Sequence, residues 1–214
     1  MAPRLRLADM NNSALPLEVR NFWFAETISD PDTIPARTGF WFAPDAARDE
    51  EIQTRWGKVI EDARAGKLDG LCTNATGRLA LILLLDQFPR NVYRGKPDAF
   101  GRDGRARYLM RDGMGQLMDL ELSPVERCFF YMPLQHSEFL EDQESAVARY
   151  KQIVQEVDTR RRPIFETFLS YAKAHRDIIA RFGRFPHRNA ILGRLDTPEE
   201  ASYLAGGGER FGQD

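Results

Sequence analysis

The sequence predicts an all-α chain, an array of antiparallel helical hairpins, and three observations carry that expectation. Apolar residues recur at three- and four-residue steps through most of the 214 residues. Two phrases, Ser123-Pro124-Val125-Glu126 and Thr197-Pro198-Glu199-Glu200, have the form of capping boxes with Pro at the first helical position. No stretch shows the apolar–polar alternation of a half-buried strand.

The elements follow in order. Phe-Trp-Phe-Ala occurs at 22–25 and again at 40–43; such aromatics supply much apolar area and are read as wedges between helices. Ile52, Trp56, Val59, Ile60 and Ala63 form one helical seam, with Asp45 placed to cap it and Gly66 to end it. The run Leu79 to Leu85 is apolar all round and has few β-branched residues, so it reads as a buried central helix over about 74–88. The Ser123 box opens a helix. Another is read from Phe139, Ala146, Tyr150, Ile153 and Val157, with Ser137 as its plausible N-cap. Arg162-Pro163 opens the next, whose seam runs Phe165, Phe168, Ala172, His175, Ile179, Phe182. The Thr197 box starts the last, and Gly206-Gly207-Gly208 marks an end. The expectation is one domain over 1–214, with 1–13 and 206–214 flexible.

Composition bounds the function. Hydrophobic residues are 43% and charged residues 29%, with a net charge of −2, which gives no electrostatic reason to expect nucleic acid or an anionic membrane as partner. Cys72 and Cys128 belong to no C-x-x-C pair and read as buried thiols of a reducing compartment. The first residues hold no apolar stretch of signal-peptide length, and a cytoplasmic protein is expected.

One phrase occurs twice: Phe88-Pro89-Arg90-Asn91 and Phe185-Pro186-His187-Arg188-Asn189. Pro cannot continue a helix and restricts the residue before it, so both phrases read as helix ends with polar side chains held just beyond. The two turns are expected to lie close together, because burying such phrases separately multiplies desolvation costs.

These phrases also carry a resemblance. Leu85-Asp86-Gln87-Phe88-Pro89-Arg90-Asn91, then Glu126-Arg127-x-Phe129-x-Tyr131-x-Pro133-Leu134-x-His136-Ser137-Glu138, then Phe182-Gly183-Arg184-Phe185-Pro186-His187-Arg188-Asn189 resemble the signatures of the bacterial family called domain of unknown function 924. Leu192-Gly193-Arg194 with Thr197-x-Glu199-Glu200 fits as well, and the likeness runs from about Phe22 to Phe211. Phe139 departs from it, standing where an acidic residue is expected. The resemblance implies an all-helical fold similar to the tetratricopeptide-like superhelices. It implies no substrate, cofactor or catalytic residue.

The candidate catalytic residues are Asp86, His136, Glu138, His175 and His187. Asp86 shares a helix face with Leu79, Ile82 and Leu83, where a carboxylate must be paired or neutral; it is either half of a buried pair with Arg90 or an acid. The three histidines suit proton transfer near neutrality, although His175, in register with its seam, also reads as a hydrogen-bonded core residue. The candidate ligand-binding residues are Gln87, Arg90, Asn91, Arg127, Arg184, Arg188 and Asn189. Guanidinium forks suit carboxylates and phosphates, while helix capping alone would also explain the two Arg-Asn pairs. No compact ligand spacing joins the histidines, and no Walker loop or dinucleotide fingerprint is present, so neither metal nor cofactor is expected. The leading expectation is a pocket that binds, and in one version turns over, a small anionic metabolite; its rival is a scaffold holding a peptide partner in a superhelical groove. An enclosed pocket with Arg90, Arg188 and His175 favours the first.

Overall fold

The computed structural model describes residues 14–212, and among these no strand occurs. The helices are α1 (Leu15–Phe24), α2 (Ile34–Phe42), α3 (Ala46–Arg64), α4 (Ala75–Val92), α5 (Asp103–Gly115), α6 (Pro124–Gln135), α7 (Leu140–Glu156), α8 (Arg162–Phe182) and α9 (Pro198–Ala205). The central helix is α4. Every residue from Gly77 to Asn91 is buried, as an all-round apolar helix requires, and α1, α3, α5 and α6 pack around it. Helix α7 packs on α6, and α8 on α7.

The caps behave as their chemistry dictates. Asp45 accepts the N–H groups of Ala47 and Arg48 at the start of α3. The Glu126 carboxylate accepts the Ser123 N–H at 3.0 Å and its hydroxyl at 2.7 Å, and its other oxygen takes Arg20 Nε at 2.6 Å, tying α1 to α6. In the second box Thr197 Oγ1 accepts the Glu200 N–H at 3.2 Å while Glu200 accepts the Thr197 N–H at 2.7 Å. Asn74 caps α4 by accepting the Gly77 N–H, and only glycine fits at 77, since a Cβ there would stand 2.1 Å from the Leu71 carbonyl oxygen.

Three local expectations are corrected. Pro89 does not end α4; the helix continues to Val92. Pro89 cannot donate to the Leu85 carbonyl, and just beyond it Arg90 Nη1 and Asn91 Nδ2 fold back onto the carbonyls of Asp86 and Gln87 at 2.6 and 3.1 Å, so side chains reinforce the turn that proline weakens. The second phrase also does not end its helix. Helix α8 stops at Phe182 because Gly183 adopts φ 71° and donates to the Ile179 carbonyl, and Pro186 then opens a single 3-10 turn, Pro186–Arg188. Phe139, not Ser137, is the N-cap of α7; the Ser137 hydroxyl instead donates to Asp142 at 2.6 Å and accepts from Arg107.

Cys128 is buried and Cys72 only half-buried; both are free thiols. The aromatic wedges form as expected around Trp23, which packs against Phe88 at 5.2 Å and Phe129 at 5.8 Å between ring centroids. No described helix is long and apolar enough to cross a membrane. Residues 1–13 and 213–214 lie outside the described residues. Residues 206–212 turn back over the C-terminal end of α4, where Gly212 offers its carbonyl to Arg94.

Candidate functional site

The C-terminal ends of α2, α4 and α6, the middle of α8, the 186–188 turn and the tail enclose a cavity of about 280 Å3. The two Phe-Pro phrases meet here, for Gln87, Arg90, Asn91, His187 and Arg188 line it together with His136 and His175.

Its floor is built on Asp86, which is fully buried. The carboxylate accepts the His136 Nδ1–H at 2.8 and 3.0 Å, a hydrogen bond from Gln87, and the Arg90 guanidinium at 3.2 Å. Burial alone would raise this carboxyl, but Arg90 and His136 outweigh it and hold it far below the usual range. The expected Asp86–Arg90 pair therefore forms, and Asp86 also orients a histidine. With Nδ1 committed, Nε2 of His136 has no partner among the described residues. Burial, with Arg90 nearby, lowers the His136 pKa despite Asp86, which favours the neutral ring.

His175 donates Nδ1–H to the Tyr171 carbonyl at 2.8 Å, and burial pushes it well below the usual histidine value. Its ring stacks on Phe211, with centroids 3.7 Å apart. His187 is pushed down to about 3 by burial and by Arg188. Its Nδ1 is buried without a hydrogen-bond partner.

The arginines differ in how their donors are used. Arg90 grips both oxygens of Asp103 at 3.0 and 2.8 Å, and although burial opposes it, Asp103 and Asp86 raise its pKa. Arg94, one turn on, holds Asp49 at 2.9 and 3.2 Å. Arg188 is 6% exposed and lies between the rings of Phe100 and Phe185, 4.7 and 4.4 Å from their centroids. Its ion pair is with Asp103, at 3.6 Å. Its guanidinium makes no hydrogen bond to any described residue, and its Nε is buried without a partner. Arg48 and Arg78 also bury an unpaired Nε, but each spends both terminal nitrogens on carbonyls or a carboxylate; Arg127 buries Nε and Nη2 unpaired and gives Nη1 to Glu156, away from the cavity. Burial pushes Arg188 down to about 10 even with Asp103 beside it, and it remains cationic at neutral pH.

Facing these polar groups is an aromatic wall. Trp41 and Phe168 are buried, while Phe42 and Tyr171, 39% and 48% exposed, stack at 6.3 Å by the mouth.

Apart from Asp86, which lies beneath it, four candidates stand outside the cavity. Glu138 accepts the Phe185 N–H at 2.9 Å and both terminal nitrogens of Arg194, anchoring the turn that carries His187 and Arg188. Asn189 donates to Asp196 and accepts from Arg194, and Arg184 forks onto Glu200 at 2.6 and 2.7 Å. Arg127 sits at the other end of α6 from His136, paired with Glu156. These are supports for the turn and for neighbouring helices. Residues that motif reading passed over are Trp41, Phe42, Arg94 and Phe211. The first two sit in the second Phe-Trp-Phe-Ala copy, and Arg94 lies in the turn just beyond α4, two residues after Val92.

A family model described as "Bacterial protein of unknown function (DUF924)" matches residues 19–208. The chain is also similar to the solved structure of a protein of unknown function from Agrobacterium tumefaciens, with 36% identity, a TM-score of 0.74, and coverage of 91% of this chain and 98% of that one. No curated protein matches the chain.

Proposed function

The chain belongs to the bacterial family of unknown function DUF924, and from that premise and the pocket we propose that it recognises a small anionic metabolite. One observation carries the reading: Arg188 is buried at the cavity with its hydrogen-bonding capacity unspent. A guanidinium offers five donors, and leaving the buried Nε–H unmet away from water is costly. A carboxylate or phosphate in the cavity meets that need with the forked geometry arginine favours. Arg90, Arg188 and His175 share one cavity of about 280 Å3, which suits a small ligand better than an extended peptide.

The pocket also has the means for a proton transfer. Asp86 presents a neutral His136 with Nε2 as acceptor, so a ligand with an acidic O–H or a bound water finds a base within the same cavity. The balanced charge and free thiols suit a cytoplasmic protein whose partner is neither nucleic acid nor membrane.

The test is a thermal-shift series with phosphate and short carboxylates, on wild type and Arg188→Gln. Saturable stabilisation of wild type that the variant lacks supports the reading. Equal behaviour of the two proteins with every anion contradicts it.

A further inference from the structure

The Arg188 region is only half of the cavity. Phe42 and Tyr171 expose large aromatic faces at the mouth, beside buried Trp41 and Phe168. Stacked on one another and continuous with the buried rings, they make one contiguous apolar surface within the cavity. An inorganic anion satisfies the arginine and leaves this wall unused. A ligand with a flat apolar body uses both.

The chain itself places a group of that shape there. Phe211 lies on the His175 ring at 3.7 Å with an interplanar angle of 21°, and its edge faces His187 at 5.5 Å. The next residue, Gly212, offers its carbonyl oxygen to Arg94. An aromatic ring and an adjacent oxygen acceptor thus lie against an imidazole and a guanidinium of the cavity. The segment carries backbone strain: Phe211 adopts φ 52°, a left-handed conformation unfavourable for a bulky side chain, between the positive-φ glycines Gly207 and Gly212. A strained segment is displaced more readily than a relaxed one, because leaving relieves the strain.

Building on the anion reading, we propose that the ligand is a small aromatic acid, with its carboxylate or phosphate on Arg188 and its ring in the place Phe211 now holds against His175. The tail then acts as a built-in competitor. It occupies the ring position when the pocket is empty and yields when an aryl acid arrives.

The experiment is calorimetric titration of wild type and Phe211→Ala with acetate, inorganic phosphate, phenylacetate, phenyl phosphate and benzyl alcohol. Phenylacetate is expected to bind about tenfold tighter than acetate, and phenyl phosphate likewise than phosphate, the order of gain that an aromatic contact gives. Phe211→Ala is expected to tighten the aryl acids about threefold and leave acetate unchanged, as removal of a competitor requires. Acetate and phenylacetate of equal affinity overturn the aromatic assignment while leaving the anion reading intact. Benzyl alcohol as tight as phenylacetate overturns the placement of the acid on Arg188. Weaker binding of aryl acids to Phe211→Ala makes Phe211 a wall of the site and overturns the competition. Failure of every acid to bind wild type removes the anion reading beneath the proposal.

Discussion

Arg188 stands 3.6 Å from Asp103, a carboxylate whose two oxygens already receive Arg90 at 2.8 and 3.0 Å. One anion therefore serves two buried guanidinium groups, and the nearer one takes the hydrogen bonds. Arg188 is balanced in charge by a neighbour that, at 3.6 Å, does not hydrogen-bond its donors. This asymmetry separates the two Phe-Pro phrases, which are nearly alike in sequence.

Arg188→Gln is expected to remove anion binding without loosening the fold. A contact to a charged group contributes roughly 1.5–3 kcal/mol, so the affinity for a bound anion falls by about ten- to a hundredfold. Stability without ligand stays within about 1 kcal/mol of wild type, because the lost ring contacts and the weak pair with Asp103 are offset by removal of a buried unpaired donor. Urea unfolding beside anion titration reads both quantities.

Asp86→Asn changes little in volume but takes the charge from beneath Arg90 and His136. Breaking a fully buried pair is expected to cost roughly 3 kcal/mol, read by urea unfolding. A second readout tests the orienting role. Nitrogen-15 spectra of His136 are expected to show Nδ1 protonated and Nε2 bare in wild type, and a mixture of tautomers in the variant.

The buried histidines set a pH dependence with a definite sign. His187 has a folded pKa of about 3 against an ordinary 6.5, so between these values the unfolded chain binds a proton that the native one refuses. Stability is therefore lost as pH falls through 6.5 towards 3, and His187 alone costs about 2 kcal/mol between pH 7 and pH 5. His187→Asn is expected to flatten that part of the profile in thermal melts. Anion binding runs the other way. A negative charge beside His187 raises its pKa from about 3, so the affinity for phenylacetate is expected to rise as pH falls from 7 to 5.

Gly77→Ala tests the seat of the central helix. The new Cβ would meet backbone rather than a flexible side-chain end, so relief requires shifting the 69–73 turn against α4. A loss of roughly 2–3 kcal/mol is expected in urea unfolding. Wild-type stability in this variant would mean that the turn moves freely.

Local chemistry made much of this legible in the sequence. The two capping boxes and the buried run at 79–85 are where the spacing puts them, because a hydroxyl, a proline and a glutamate within four residues leave few alternatives to a helix start. Pro89 misleads because the rule against proline inside a helix is a cost, and Arg90 and Asn91 offset it by bonding back to Asp86 and Gln87. At the candidate site, the motifs name Asp86, Arg90, His136, His175, His187 and Arg188, which the fold brings together at one cavity. They also name Arg127, Arg184 and Asn189, whose partners Glu156, Glu200 and Asp196 no short phrase reveals. Trp41, Phe42 and Phe211 escape them, because an aromatic residue looks the same in a sequence whether it fills a core or faces a cavity.

The Arg188 Nε–H resonance tests the central claim most directly, since that donor is buried and unpaired in the free protein. Its signal is assigned by its absence from Arg188→Lys and followed in proton–nitrogen spectra as phosphate or phenylacetate is added. The account predicts a saturable downfield shift as the donor acquires a charged acceptor. A resonance that stays in place while other residues of the cavity respond, or one that no anion moves, would contradict it.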